Sequence, residues 1–157
     1  MRTPFERTAL EHGAVVWRVC RGLLPQHDAE DAWSETFLAA LGAWERLDPG
    51  ADVRGWLVTI AHRKAIDVLR ARARTAMPTD EPPERESPLG VPGSRDLDLW
   101  DAVAALPPKQ RVAVVHHHLG GLPFAEIARL TDTTETAARK AASDGVGRLR
   151  TLLEENR

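Results

Sequence analysis

Three consecutive histidines, His116, His117 and His118, are the side chains in this sequence best suited by type to hold a metal ion or move a proton. Successive helical residues point about 100° apart, so three in a row cannot converge on one ion; ligands at i and i+4 would be needed. No metal site is expected. Cys20 is the single cysteine, which excludes an internal disulfide and leaves a zinc knuckle without its partner thiols. It reads as a core residue in a protein of a reducing cytoplasm. The sequence holds no glycine-rich phosphate loop, no paired cysteines and no G-x-S-x-G nucleophile. No cofactor is expected, and the chain does not read as an enzyme.

What the charged residues offer instead is phosphate binding. Between Val53 and Arg74 stand six bases, Arg54, Arg63, Lys64, Arg70, Arg72 and Arg74, against one acid, Asp67. Each phosphate neutralised by such a residue releases condensed counterion, so a handful can dominate affinity. The same run also fits an ordinary solvated helix face, and charge alone does not separate the two. A second set, Thr136, Arg139, Lys140 and Ser143, lies near the C-terminus at spacings that project outward from a helix and can donate to phosphates and base edges.

Both sets must be carried by helices, because helical period is the signal throughout and no segment shows the alternation of a strand. The first helix is expected from Glu6 to Leu24, ended by Pro25, and the second from Ala29 to Trp44, with Ala32, Trp33, Phe37, Leu38 and Leu41 as its buried stripe. A third runs from Val53 to Arg74 and turns Trp56, Leu57, Ile60, Ala61, Ile66 and Leu69 inward. Further along, helices are expected from Leu99 to Leu106, from Lys109 to Leu119 and from Phe124 to Leu130. A final helix follows the tight turn Thr131-Asp132-Thr133, capped by Thr133 and built on an inner stripe of Ala138, Ala142, Gly145, Leu149 and Leu152 or Leu153. A short helix, a tight turn and a longer helix make the unit that reads a major groove.

Between the two groups, five of the eleven prolines (Pro78, Pro82, Pro83, Pro88 and Pro92) crowd into fifteen positions, with six acids and two bases from Thr75 to Asp98. Such a stretch builds no core. The expected architecture is all-α: two small helical domains, residues 1–74 and 99–157, joined by a flexible acidic linker at 75–98. At 157 residues the chain has no room for a large catalytic scaffold. Its formal net charge of -2 argues mildly against a nucleic-acid partner until the charges are resolved by segment. No apolar run is long enough to enter a membrane, and the N-terminus lacks the apolar core of an export signal.

Several motifs in order resemble the bacterial sigma-70 family RNA polymerase sigma factors, specifically the small extracytoplasmic-function (ECF) group. Asp28-Ala29-Glu30-Asp31-Ala32-Trp33-Ser34-Glu35-Thr36-Phe37 is similar to the family's region 2.2 pattern D-A-E-D-x-x-Q-E-x-F, with Ser34 in place of Gln. Trp56-Leu57-Val58-Thr59-Ile60-Ala61 and Asp67-Val68-Leu69-Arg70 resemble W-L-x-x-I-A and D-x-L-R of regions 2.3 and 2.4, with Arg63 where Asn is usual. Leu106-Pro107-Pro108-Lys109-Gln110-Arg111, the run Gly120 to Ala128 and Arg148-Leu149-Arg150 look like region 4.

The resemblance implies a non-catalytic subunit that binds core RNA polymerase and recognises the −10 and −35 promoter elements. By position, polymerase binding falls on Asp28, Asp31, Ser34, Glu35 and Phe37. Single-stranded −10 DNA falls on Arg46, Arg54, His62, Arg63, Lys64 and Arg70, beside Trp44 and Trp56. Duplex −35 DNA falls on Thr134, Thr136, Arg139, Lys140 and Ser143. An anti-sigma factor is the further partner implied. Ala141, Ser143, Asp144, Gly145 and Gly147 stand where the family often carries bases, so weak −35 binding is expected from the second module. The alternatives are a helix-turn-helix regulator acting without polymerase and a polymerase adaptor that does not initiate.

Overall fold

The structure, a computed structural model, describes residues 4–75 and 94–155. Among these residues the regular structure is entirely helical. The first group comprises α1 (Phe5–Leu23), α2 (Gln26–Ala43), a 3₁₀ turn at Trp44–Arg46 and α3 (Val53–Thr75). The second comprises α4 (Ser94–Ala104), α5 (Pro108–Val114), a π-helical turn at Val115–Leu119, α6 (Phe124–Thr131) and α7 (Glu135–Glu155). Most of the acidic, proline-rich segment lies outside the described residues, and α4 begins at Ser94, inside the span read as linker.

Local chemistry sets the boundaries. Pro25 and Pro107 precede α2 and α5 in extended conformation, where a missing N–H costs nothing. Between α6 and α7, Asp132 adopts the left-handed conformation (φ 53°, ψ 51°), as an Asp tolerates better than most residues. That turn moves the cap of α7 one residue beyond the expected Thr133: Ala137 N–H donates to Thr134 Oγ1 at 3.1 Å. Gly145 weakens α7 as a helix former, yet α5 needs it. A Cβ there would sit 2.5 Å from Val114 Cγ2 and 3.3 Å from the Gln110 carbonyl oxygen.

The stripe of α2 differs from the expected one. Ala29, Ala32, Thr36, Phe37 and Ala40 face the core, whereas Leu38 is 68% exposed and Leu41 55% exposed. Each leucine follows a buried position by one residue, about 100° around the helix, so period outranks residue type. Leu69 of α3 is likewise exposed.

The two groups of helices share one core. Val16, Val19, Cys20, Leu23, Leu57, Val58 and Ala61 from the first cluster with Val115, Leu122, Ile127 and Ala138 from the second. The loop after α5 makes this possible. Gly120 N–H donates to Val115 O at 3.0 Å across the π-helical turn, whose wider winding accompanies the inward placement of Val115 and His116.

Candidate functional site

The α2 surface is held from below. Trp33 Nε1–H donates to the Gly13 carbonyl at 2.9 Å, and the Phe37 ring packs 4.8 Å from Trp33 and 6.4 Å from Phe5. These contacts lock α2 on α1 and point Asp31, Ser34, Glu35, Leu38 and Leu41 outward, a row at i, i+3, i+4, i+7 and i+10. Phe37 and Asp28 are not part of that surface. Phe37 is 8% exposed, and the largely buried Asp28 carboxylate is ion-paired with Arg72. Each is better placed to support the face than to touch a partner. Leu38 and Leu41, expected in the buried stripe, belong to this exposed surface, because apolar type alone does not separate a core position from a partner-facing one.

Along α3, Arg54, Arg63 and Arg70 are exposed and Lys64 is half-buried. Arg46 lies on the 3₁₀ turn, exposed, with a long 3.5 Å contact to Gly42 O. Trp44 and Trp56 stand 6.2 Å apart, and Phe5 meets Trp44 at 5.5 Å, so both indoles belong to a half-buried aromatic group at the start of α3. Arg63 and Arg70 line an open cleft of about 310 Å³ with His62, Ile66 and Asp67, and α6 contributes Arg129 and Leu130 to its wall.

His62 corrects the expectation of an outward DNA-facing side chain. It is 7% exposed and bonded to His116 across the two groups of helices, Nδ1 to Nε2, at 2.7 Å. His116 is fully buried and its Nδ1 has no partner among the described residues. An N–H on that nitrogen would be an orphaned buried donor, so His116 carries its proton on Nε2 and donates it to His62 Nδ1. Burial, and then each ring's neighbouring charge, lowers both imidazoles from their ordinary value: His62 beside Arg63, and His116 to about 3 beside His62. Both are neutral near pH 7. No cluster of three metal-ligating side chains occurs among the described residues. Burial pushes the Cys20 thiol up to about 12, which makes it unreactive.

On α7, Thr136, Arg139, Lys140 and Ser143 are exposed together on one stretch of helix. Thr134 is spent on the cap. Both bases have intrahelical partners: Arg139 donates to Glu135 at 3.1 Å, and Lys140 pairs with Asp144 at 3.6 Å. The Arg139 guanidinium also lies 4.7 Å from the Phe124 ring, on which His117 stacks at 3.9 Å. Bases already neutralised by neighbours add little to a DNA field.

Residues 9–75 match the sigma-70 region 2 family and residues 96–149 the sigma-70 region 4 family. The chain is 35% identical over 136 residues to the RNA polymerase sigma factor CarQ of Myxococcus xanthus, covering 81% of this chain and 75% of CarQ. It is 33% identical to the ECF RNA polymerase sigma factor ShbA of Streptomyces griseus, over 88% of this chain and 81% of ShbA. The sigma factor RpoE of Bartonella quintana, solved with the anti-sigma factor NepR, superposes with a TM-score of 0.75 over 98% of both chains at 20% identity, a likeness of fold. Together these place the chain in the ECF group of the sigma-70 family, non-enzymatic factors that direct RNA polymerase to promoters.

Proposed function

We propose that residues 1–74 dock the chain on core RNA polymerase and read the −10 element, that residues 75–98 act as an acidic tether, and that residues 99–157 read the −35 element. The observation that carries the docking assignment is the outward row of α2, where two exposed leucines run beside Asp31, Ser34 and Glu35. Exposed apolar side chains rimmed by carboxylates make a surface for a partner helix pair. Arg46, Arg54, Arg63, Lys64 and Arg70 supply a basic track for single-stranded DNA, and His62 joins it only where the second group of helices moves away. Thr136, Arg139, Lys140 and Ser143 are the −35 set, weakened by Glu135 and Asp144. An anti-sigma factor is the inhibitory partner, and the site of action is the cytoplasm, where the polymerase works. Among the described residues no helix is long and apolar enough to cross a membrane.

Reconstitution with core polymerase, followed by mapping of transcript starts, tests the reading. Leu38→Asp with Leu41→Asp should abolish holoenzyme formation, while Arg139→Ala with Lys140→Ala should weaken duplex −35 binding and leave polymerase affinity intact. Absence of any holoenzyme with the wild-type chain would sink it. A holoenzyme that never initiates would favour the adaptor.

A further inference from the structure

We propose that the cleft between α3 and α6 is a binding site for a small nucleotide, which it holds by the phosphates and by the sugar hydroxyls. The site draws residues from both groups of helices.

Its donors are the first observation. Arg63 and Arg70 reach the cleft from α3, two turns apart, and Arg129 reaches it from α6. One Nη of Arg129 is bonded to Glu126 at 2.6 Å, which holds the guanidinium in place and leaves its other donors for a ligand. Three guanidiniums at the surface would ordinarily be a solvated patch. His62 distinguishes this one. Its ring is 7% exposed and yet lines the cleft. His62 Nδ1 accepts the proton of His116 Nε2, so the neutral ring carries its own proton on Nε2, and that N–H donates to none of the described residues. Burial and the adjacent Arg63 charge keep the imidazole neutral and fix it as a donor. A buried, oriented N–H with no protein acceptor, set among three cations, calls for an anionic ligand.

The remaining lining residues narrow the class. One acid, Asp67, shares the cleft with the donors. Its carboxylate repels a bare phosphate, whereas a sugar hydroxyl can donate to it. A ligand that carries both groups uses the whole set. Ile66 from α3 and Leu130 from α6 add apolar surface for the face of a base, and guanidinium planes stack on such rings as well. The volume, about 310 Å³, stands at the lower end of the roughly 300–1,000 Å³ typical of small-molecule sites. It suits one nucleotide.

Arg63 and Arg70 also belong to the set assigned to single-stranded −10 DNA, but Arg129 and Leu130 do not, so α6 separates the two activities. The full chain would be titrated calorimetrically with ADP, GDP and inorganic pyrophosphate, and by fluorescence anisotropy with an oligothymidine strand. At least one nucleoside diphosphate should bind once per chain and more tightly than pyrophosphate. Arg129→Ala should weaken that binding about tenfold, the loss of a charge-assisted bond, with oligothymidine affinity unchanged and helix content retained by circular dichroism. Asp67→Asn should narrow the preference for nucleotide over pyrophosphate. Failure of both nucleotides to saturate the chain overturns the proposal. Equal binding of nucleotide and pyrophosphate, unaltered by Asp67→Asn, shows a general anion patch and overturns it too. Equal weakening of nucleotide and strand by Arg129→Ala shows that the cleft is not a separate site, with the same consequence. A chain that binds nucleotide through Arg129 and no oligothymidine supports the site and removes the −10 assignment of α3.

Discussion

At the scale of single residues, the buried histidine pair has a consequence for stability. His116 holds its neutral form down to about 3 because burial disfavours the cation, whereas in an opened or unfolded chain it titrates near its ordinary 6.5. The released form then binds more protons, so the pair's contribution is fully present above pH 6.5 and is lost as pH falls from there towards 3. The loss approaches about 1.4 kcal/mol per pH unit within that window. The cleft beside His62 adds Arg63, Asp67, Arg70 and Arg129, with His117 and His118 in the turn itself; α1, packed on the turn, contributes Val19 and the neutral Cys20 thiol. Urea midpoints should drop between pH 7.5 and 5.5, and His116→Leu should flatten that dependence. Equal slopes for both proteins would remove the histidine pair as its cause.

At the scale of elements, α7 shows two glycines doing different things. Gly145 sits where Val114 and Gln110 of α5 press against the helix, whereas nothing lies within 4 Å of a Cβ at Gly147. Gly145→Val should therefore cost about 1–3 kcal/mol through overpacking. Gly147→Ala should stabilise by up to about 1 kcal/mol by restoring helix propensity. Thermal melts of the two variants check both signs. The α7 ion pairs carry a third expectation: Asp144→Asn frees Lys140 and should raise affinity for duplex DNA severalfold at low salt, with fluorescence anisotropy as the measure. No gain there would mean that Lys140 does not face the duplex.

At the scale of the whole molecule, reach is the constraint. Elements at −10 and −35 are about 25 base pairs apart, about 85 Å at ~3.4 Å per step. A compact chain of this length has a radius of gyration of about 15 Å, hence a diameter near 40 Å. Under the proposed assignment of one group to each element, a chain with one shared core cannot touch both, so promoter binding would require the two groups of helices to separate. Small-angle scattering of the free chain should give a radius near that compact value, and Gly22→Leu, which drives a side chain into Val115, should increase it. A wild-type chain already expanded in solution would contradict the shared core.

Much of this was legible from sequence. Helix-breaking prolines, the 3.6-residue period and the motifs at Asp28–Phe37, Trp56–Arg70 and Leu106–Arg111 determined an all-α chain of the sigma family and located its basic and acidic segments, because these are local properties of the chain. The tertiary structure decided which side chains reach solvent. Leu38 and Leu41 face outward because the smaller Ala32, Thr36 and Ala40 allow α2 to pack closely, while Phe37 and Asp28 turn inward. His62 and His116 are 54 positions apart, and no periodicity in either segment signals their contact. Burial depends on which surfaces meet, and that meeting is set by packing between elements distant in the chain.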